Sequence, residues 1–346
     1  MDRRSASEVM SYGATKILTK LFSQGKFHGL IALGGSIGTT MACNIMKNFP
    51  IGFPKVVVST IASGDVRPYI GGKDIILIHS VGDISLNRIT RKIFANAAAA
   101  IASMVKVKQA KRKVKPLVST TMFGVTQPTV LRLKKYAESL GFEVIVFHAV
   151  GSGGMAIEDL IRQGEIVSVA DITTHKLADY LFGGIYSAGP DRLEAAGEKG
   201  IPQVVVPGAL DMINFGPPET VPEKYRNRLF YRHSPKITLM RVNVEESIKI
   251  GKTMAYKLNK AKGPVTIVFP LKGLSEYDKE RGVLATSYNG EPIKEWYDPE
   301  ADHALLKTLK EEVKSKIEIV EVDAHINDSS FSEAVFNIFQ KIMSIK

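Results

Sequence analysis

A single cysteine, Cys43, and a single tryptophan, Trp296, stand in 346 residues. One thiol excludes an internal disulfide and fits a reducing compartment, so cytoplasmic residence is expected. Cys43 falls within an apolar-patterned helix, where a buried, inert thiol is the ordinary outcome. No apolar run approaches the roughly 20 residues of a membrane span, and the opening MDRRSASEVM lacks the long apolar segment of a secretory signal. The first glycine loop has neither the following lysine of a Walker A motif nor G-x-G-x-x-G spacing. The seven histidines include no HExxH or other H-x-x-x-H pair, which excludes the common helical zinc sites.

What is present is length, apolar content and positive charge. With 45% apolar residues, the chain can build two domains with proper cores. The formal charge of +11 invites a nucleic-acid reading, but much of it is local. Lys106–Lys115 holds six basic residues and no acid, as a solvated linker or helix end does. The aromatic-rich strands of common RNA modules are missing, so nucleic acid is not read as the main partner.

The chain is organised around Gly29–Tyr69. Leu30–Leu33 is an apolar run, Gly34-Gly35-Ser36-Ile37-Gly38-Thr39-Thr40 a turn, and Lys55–Ser59 a second apolar run beyond a helix. Strand, turn, helix and strand form one βαβ unit. The N–H groups at such a helix start favour an anion, and a tight structural turn is the plain alternative. The candidate contacts are Gly34, Gly35, Ser36, Gly38 and Thr39, with Ser59, Ser63 and Gly64 from the neighbouring loop. A third strand at Lys73–His79 precedes a long helix opened by Asp83–Arg88, with Asp83 or Ser85 as its cap. Asn87 would reach the same crevice. Asp65 and Asp83 could hold Mg²⁺ beside a phosphate, or each could be a cap.

Beyond the basic run a second α/β series begins. Strands read at 117–121, 144–148, 166–170, 203–206, 237–240, 265–269 and 317–322. Helices read at about 127–140, 153–162, 174–182, 190–199, 244–260, 301–315 and 330–343. Asn243 is a good cap for the fifth of these helices. Alternating apolar βα elements argue for a covered parallel sheet. The expected organisation is therefore an N-terminal Rossmann-like lobe over 1–106, a linker over 107–115 and a C-terminal Rossmann-like lobe over 116–346. Both lobes should carry mostly parallel sheets, with a ligand cleft between them. Gly151, Gly153 and Gly154 form another anion-friendly turn. Segments 207–234 and 270–298 read as long loops, the first an ordered cover and the second holding Trp296 in a core or rim role.

His148, His175 and His325 each fall near a strand end, where a structural histidine and a catalyst are both open readings. His325 stands out because Asp323 could orient it as a general acid or base.

Several motifs resemble an uncharacterised two-lobed family that includes the N-terminal ATP-binding inhibitory part of the tobamovirus-resistance protein of tomato. They include Gly34-Gly35-Ser36-x-Gly38-Thr39, Ser59-Thr60-x-Ala62-Ser63-Gly64 and Thr121-Met122-Phe123-Gly124-Val125-Thr126-x-Pro128. Others are Phe147-His148-Ala149, Gly208–Met212 with Asn214-Phe215-Gly216, and His325-Ile326-Asn327-Asp328. The resemblance runs over nearly the whole chain. It implies two Rossmann-like lobes, a homodimer and ATP or a related nucleotide as ligand, with no settled reaction. Members usually begin with a further strand and a Gly-Thr-x-Asp-Thr-Lys loop, which this sequence does not show. They often continue Asp-(Ile/Leu)-Thr-Thr with Thr-Glu, where this chain has His175-Lys176. The expected function is a cytoplasmic protein that binds a nucleotide or phosphorylated small molecule and leaves open whether it is an enzyme. The alternative is a macromolecular interaction or inhibitory protein without catalysis.

Overall fold

The computed structural model describes residues 2–83, 85–108 and 114–344, and the chain divides into two compact units at Lys113/Val114. The middle of the basic run, 109–113, lies outside the described residues.

The first unit runs α1 (Arg3–Ser23), β1 (Leu30–Gly34), α2 (Ser36–Met46), β2 (Lys55–Ser59), α3 (Arg67–Ile70), β3 (Ile76–His79) and α4 (Arg88–Met104). Its three strands pair in parallel in the order β1-β2-β3. Val56, Val57 and Val58 of the central strand are fully buried, packing α2 on one face and α4 on the other. Cys43 lies in the α2 side of this core, where burial pushes its thiol up. Helix α4 starts later than expected. Its cap is Asn87, which accepts from the Ile89 and Thr90 N–H groups while Thr90 Oγ1 accepts from Asn87 N. The reciprocal capping box with Thr90 selects Asn87.

The second unit runs β4 (Leu117–Met122), α5 (Gln127–Ser139), β5 (Glu143–His148), α6 (Gly151–Gln163), β6 (Ser168–Thr173), α7 (Lys176–Phe182), α8 (Ala195–Lys199) and β7 (Gln203–Gly208). It continues with β8 (Met212–Phe215), β9 (Phe230–Ser234), β10 (Ile237–Arg241), α9 (Val244–Leu258), β11 (Val265–Pro270), β12 (Leu284–Thr286) and β13 (Pro292–Glu295). The last elements are α10 (Pro299–Glu312), β14 (Glu318–Val322) and α11 (Ser329–Met343). Six strands form a parallel sheet in the order β14-β11-β7-β6-β4-β5. Its central strands β6, β7 and β11 are buried along their whole length, as helices on both faces require.

The other five strands pair as β13-β12-β9-β10-β8, with antiparallel neighbours throughout. This corrects two expectations. Segments 207–234 and 270–298 are not simple loops, and 237–240 belongs to this second sheet, not to the parallel series. The strands are short, and prolines and polar edge residues interrupt their alternation, so periodicity alone does not reveal them. Nine of the fourteen strands remain parallel. Trp296 is fully buried beneath this sheet and donates from Nε1 to Asp211 at 2.8 Å, a core role. The expected helix at 190–199 is reduced to α8, because Leu193 inside that span takes a left-handed backbone with φ 70°.

Candidate functional site

In the first unit, the carboxyl ends of β1, β2 and β3 bound a crevice of about 250 Å³ lined by Gly34, Thr60, Ser80, Gly82, Asp83 and Ser85, among others. Gly34 is required here, since a Cβ would stand 2.8 Å from Gly38 Cα. Gly35 caps α2 with no side-chain hydrogen bond, so the first N–H groups of that helix are left to solvent or ligand. Ser36 is exposed there. The run Gly34-Gly35-Ser36-Ile37-Gly38 also spells the G-x-S-x-G of a nucleophile elbow. Ser36, however, is not among the residues with a left-handed backbone, and that strain defines an elbow.

Two of the expected contacts point elsewhere. Thr39 Oγ1 and Ser59 Oγ are fully buried 2.6 Å apart, and Ser59 Oγ also accepts from Ile61 N at 3.2 Å. Both hydroxyls tie α2 to β2 in place of facing a ligand, because their strand and helix positions turn them inward. Ser63 and Gly64 sit in an exposed turn. The Asn87 oxygen is committed to its cap. Asp65 is held by Arg67 through two side-chain bonds of 2.9 and 2.8 Å, which keep its carboxyl below the usual range. Asp83 lines the crevice, and no metal-holding group of three His, Cys, Asp or Glu side chains occurs among the described residues.

In the second unit, the chain leaves β4 for β5 on one side and then crosses back to β6 on the other. The carboxyl ends of β4 and β6 therefore flank the topological switch point, where open α/β sheets bind ligands. A cavity of about 460 Å³ opens there. Phe123, Gly124 and Val125 follow β4, and His148 ends β5. The antiparallel sheet supplies Met212, Asn214, His233, Ser234, Ile237 and Leu239, while Glu276 and Tyr277 complete the wall. Sequence reading missed these walls because most of them come from segments 207–234 and 270–298, read as loops, and Ile237 and Leu239 from a strand assigned to the other sheet.

His148 Nδ1 stands 3.3 Å from the Met122 carbonyl, so that nitrogen carries the proton and Nε2 is the acceptor. His233 Nδ1 meets Tyr277 Oη at 2.8 Å, and burial pushes the Tyr277 phenol up to about 12. Asp179 holds two wall residues from behind. It accepts from Tyr186 N at 2.9 Å and Asn214 N at 2.8 Å, and burial pushes it up to about 7.

Behind the cavity wall, His175 stacks on Phe123 at 4.1 Å, fully buried, with neither ring nitrogen partnered. Its pKa is driven well down by burial and by the neighbouring cations. Lys176 is also fully buried and its Nζ has no partner; burial, then Arg192, lowers it to about 7. Arg192 itself is balanced by Asp171 and by Glu158 at 3.1 Å. The glycines that start α6 are demanded by packing. A Cβ at Gly153 would lie 2.0 Å from the His148 carbonyl, at Gly151 2.4 Å from the Ser187 carbonyl, and at Gly154 2.4 Å from Ala188 Cβ.

The expected Asp323–His325 pair does not form. His325 Nε2 meets the Ser275 carbonyl at 2.8 Å, and Nδ1 accepts from Asn327 N at 3.2 Å. Asp323 is exposed and pairs with Lys272 at 3.1 Å. Both imidazole nitrogens are spent on backbone, so His325 is a structural clamp. Only strand-end position and proximity in sequence had favoured it.

Residues 1–110 match the N-terminal domain of the uncharacterised protein family UPF0261, and residues 115–343 match its C-terminal domain. A UPF0261 protein of Clostridium tetani (strain Massachusetts / E88) is 50% identical over 337 residues, covering 96% of this chain and 80% of the relative. The ToMV resistance protein Tm-1(GCR237) of Solanum lycopersicum is 39% identical over 349 residues, which are 98% of this chain and 45% of that protein. A UPF0261 protein of Rhizobium meliloti (strain 1021) is 41% identical over 317 residues, 91% of this chain and 76% of the relative. No described helix is long and apolar enough to cross a membrane.

Proposed function

This chain belongs to the uncharacterised protein family UPF0261, and from that premise we propose that it binds a nucleotide or another phosphorylated small molecule. ATP is the first ligand to try. The observation that carries the reading is the cavity at the β4/β6 switch point, whose volume of about 460 Å³ lies in the range of small-molecule sites. Phe123, Tyr186 and Tyr277 offer ring faces to a base, and Asn214, Ser234 and His148 offer polar contacts. His148 Nε2 is placed to take up or give a proton, should the ligand react. The first-unit crevice, which Gly34 lines, is a second seat for a phosphate, with Asp83 on its wall as an acid for Mg²⁺. Cytoplasmic residence and a homodimer belong to the same proposal.

The competing reading is an interaction protein that binds another macromolecule; the tomato relative is named a ToMV resistance protein. Exposed Val9, Met10, Tyr12 and Ile17 on α1 favour it.

Gly124 provides the test. It lines the cavity, and a Cβ there would meet nothing within 4 Å, so a side chain can start from this position and Gly124→Trp is the variant to block the space. Calorimetry with ATP should show at least a tenfold loss of affinity at unchanged melting temperature. Unchanged affinity would move the ligand out of this cavity, and Gly35→Val would then test the first-unit crevice. Absence of any nucleotide binding, with stable complexes in pull-downs, would favour the interaction protein.

A further inference from the structure

Two consecutive basic side chains, His175 and Lys176, are carried into the interior with no acceptor for their nitrogens. An unpartnered buried polar group costs about 1–3 kcal/mol, so an arrangement of two points to a partner that is not part of the chain. The partner that Lys176 lacks is a hydrogen-bond acceptor. Arg192 already occupies the carboxylates of Asp171 and Glu158, and among the described residues no ion pair includes Lys176. His175 lies on the same turn, with His148 at the end of β5 as a further neighbour of that imidazole. A charged Lys176 and Arg192 balance Asp171 and Glu158, and the ammonium nitrogen alone is left without an acceptor.

Helix α6 supplies the second half. Its thirteen residues begin with no side-chain cap, and the first backbone bond is from Gly154 N to the Val150 carbonyl at 3.0 Å. The preceding N–H groups face outward from the helix start. Lys176 runs across this turn, its Cδ and Cε 2.5 and 2.9 Å from where a Cβ of Gly154 would be. The run Gly151-Ser152-Gly153-Gly154-Met155-Ala156, directly after β5, has the G-x-G-x-x-A spacing that brings a phosphate to a helix N-terminus.

We propose that the first turn of α6 and the Lys176 ammonium together hold a tetrahedral oxyanion, a phosphate either free or esterified to the ligand. The proposal deepens the reading of a phosphorylated ligand and rests on it. Helix N–H groups alone would attract an anion weakly and without a proton. Lys176 changes that, because an anion beside it favours its charged form. Binding above neutral pH must then draw a proton from solution.

Sulfate is the discriminating probe, since it does not titrate near neutral pH; inorganic phosphate and AMP are titrated beside it. Calorimetry on the full chain at pH 8, in two buffers of different ionisation enthalpy, should show proton uptake with sulfate. Lys176→Met, similar in length and free of charge, should abolish the uptake and weaken sulfate and phosphate at least tenfold. Tighter binding of AMP than phosphate would identify an esterified source, and the reverse a free one. Sulfate binding without proton uptake in the unaltered chain would overturn the proposal, as would equal affinity in Lys176→Met or no binding of either anion. ATP binding that ignores Lys176 would remove this subsite and leave the nucleotide reading intact. Lys176-dependent sulfate binding with no affinity for nucleotide would do the opposite.

Discussion

Glycine turns lead from a parallel strand into a helix at Gly34–Gly38 and again at Gly151–Gly154, and the two differ in what surrounds them. At the first, only Gly34 is forced by a close approach, and a Cβ on Gly35 would meet nothing nearer than Thr60 Oγ1 at 3.6 Å. Its nearby hydroxyls, Thr39 and Ser59, face inward and bond to each other. At the second, all three glycines sit against the chain itself, and a buried lysine with no partner crosses the turn. Similar local sequence therefore produces an open turn in one unit and, in the other, a packed one crossed by a buried lysine. The contrast lies in which distant segments arrive beside each turn.

The largest expected effect separates the two turns by stability. Gly153→Ala drives a methyl to 2.0 Å from the His148 carbonyl and should cost about 1–3 kcal/mol as an overpacked site. Gly35→Ala has room and should cost about 0.5 kcal/mol, the price of a poorer cap. Urea unfolding of both variants checks this, and equal costs would break the comparison.

Charge comes next. Lys176→Met should stabilise the protein by about 1–3 kcal/mol at pH 7, because it removes an unpartnered buried group. The folded lysine titrates near 7, against 10.5 as its ordinary value, so between those limits the unfolded chain holds the extra proton. Stability of the unaltered protein should therefore rise with pH across that window. The advantage of the methionine variant should shrink toward pH 10, and melting curves at pH 7 and 10 would expose a constant advantage as a contradiction.

Asp179→Asn offers one carboxamide oxygen where two carboxylate oxygens receive Tyr186 N and Asn214 N. A loss of about 1 kcal/mol is expected, with faster amide exchange at Tyr186. Asp179 titrates near 7 folded and 3.8 in its ordinary state, so the folded chain holds more protons in between. Its contribution falls as pH rises through that window, and the asparagine variant should lack this slope. A Tyr186 amide that exchanges no faster would mean that Asp179 does not hold the cavity wall.

The smallest effect concerns a third strand end. Asp323→Ala breaks only an exposed pair with Lys272 and should change stability by less than about 0.5 kcal/mol. A loss as large as that of His325→Ala would restore the discarded Asp323–His325 pair.

Much of the framework was legible because it depends on neighbours in sequence. The β1–α2–β2 unit follows from two apolar runs around a glycine turn, and Asn243 caps α9 through a reciprocal bond with Glu246. Around α4 the same reasoning named Asp83 or Ser85 as the cap and gave Asn87 to the crevice, and only the position of Thr90 selects Asn87. The antiparallel sheet was hidden because β12 and β13 are short and β9 keeps exposed residues beside buried ones.

His175-Lys176 after two threonines gives no hint in sequence of being buried, since lysine and histidine next to a helix start are ordinarily solvated. Local chemistry determined where this chain turns, which helices it caps and that its strands run mainly in parallel. Tertiary structure alone decided which polar groups lost both water and partner. Segment 186–188 comes to rest against α6, and Asp171 and Glu158 are taken by Arg192 before Lys176 can share them. Desolvation and the supply of partners are set by residues far apart in the chain, and no local pattern records them.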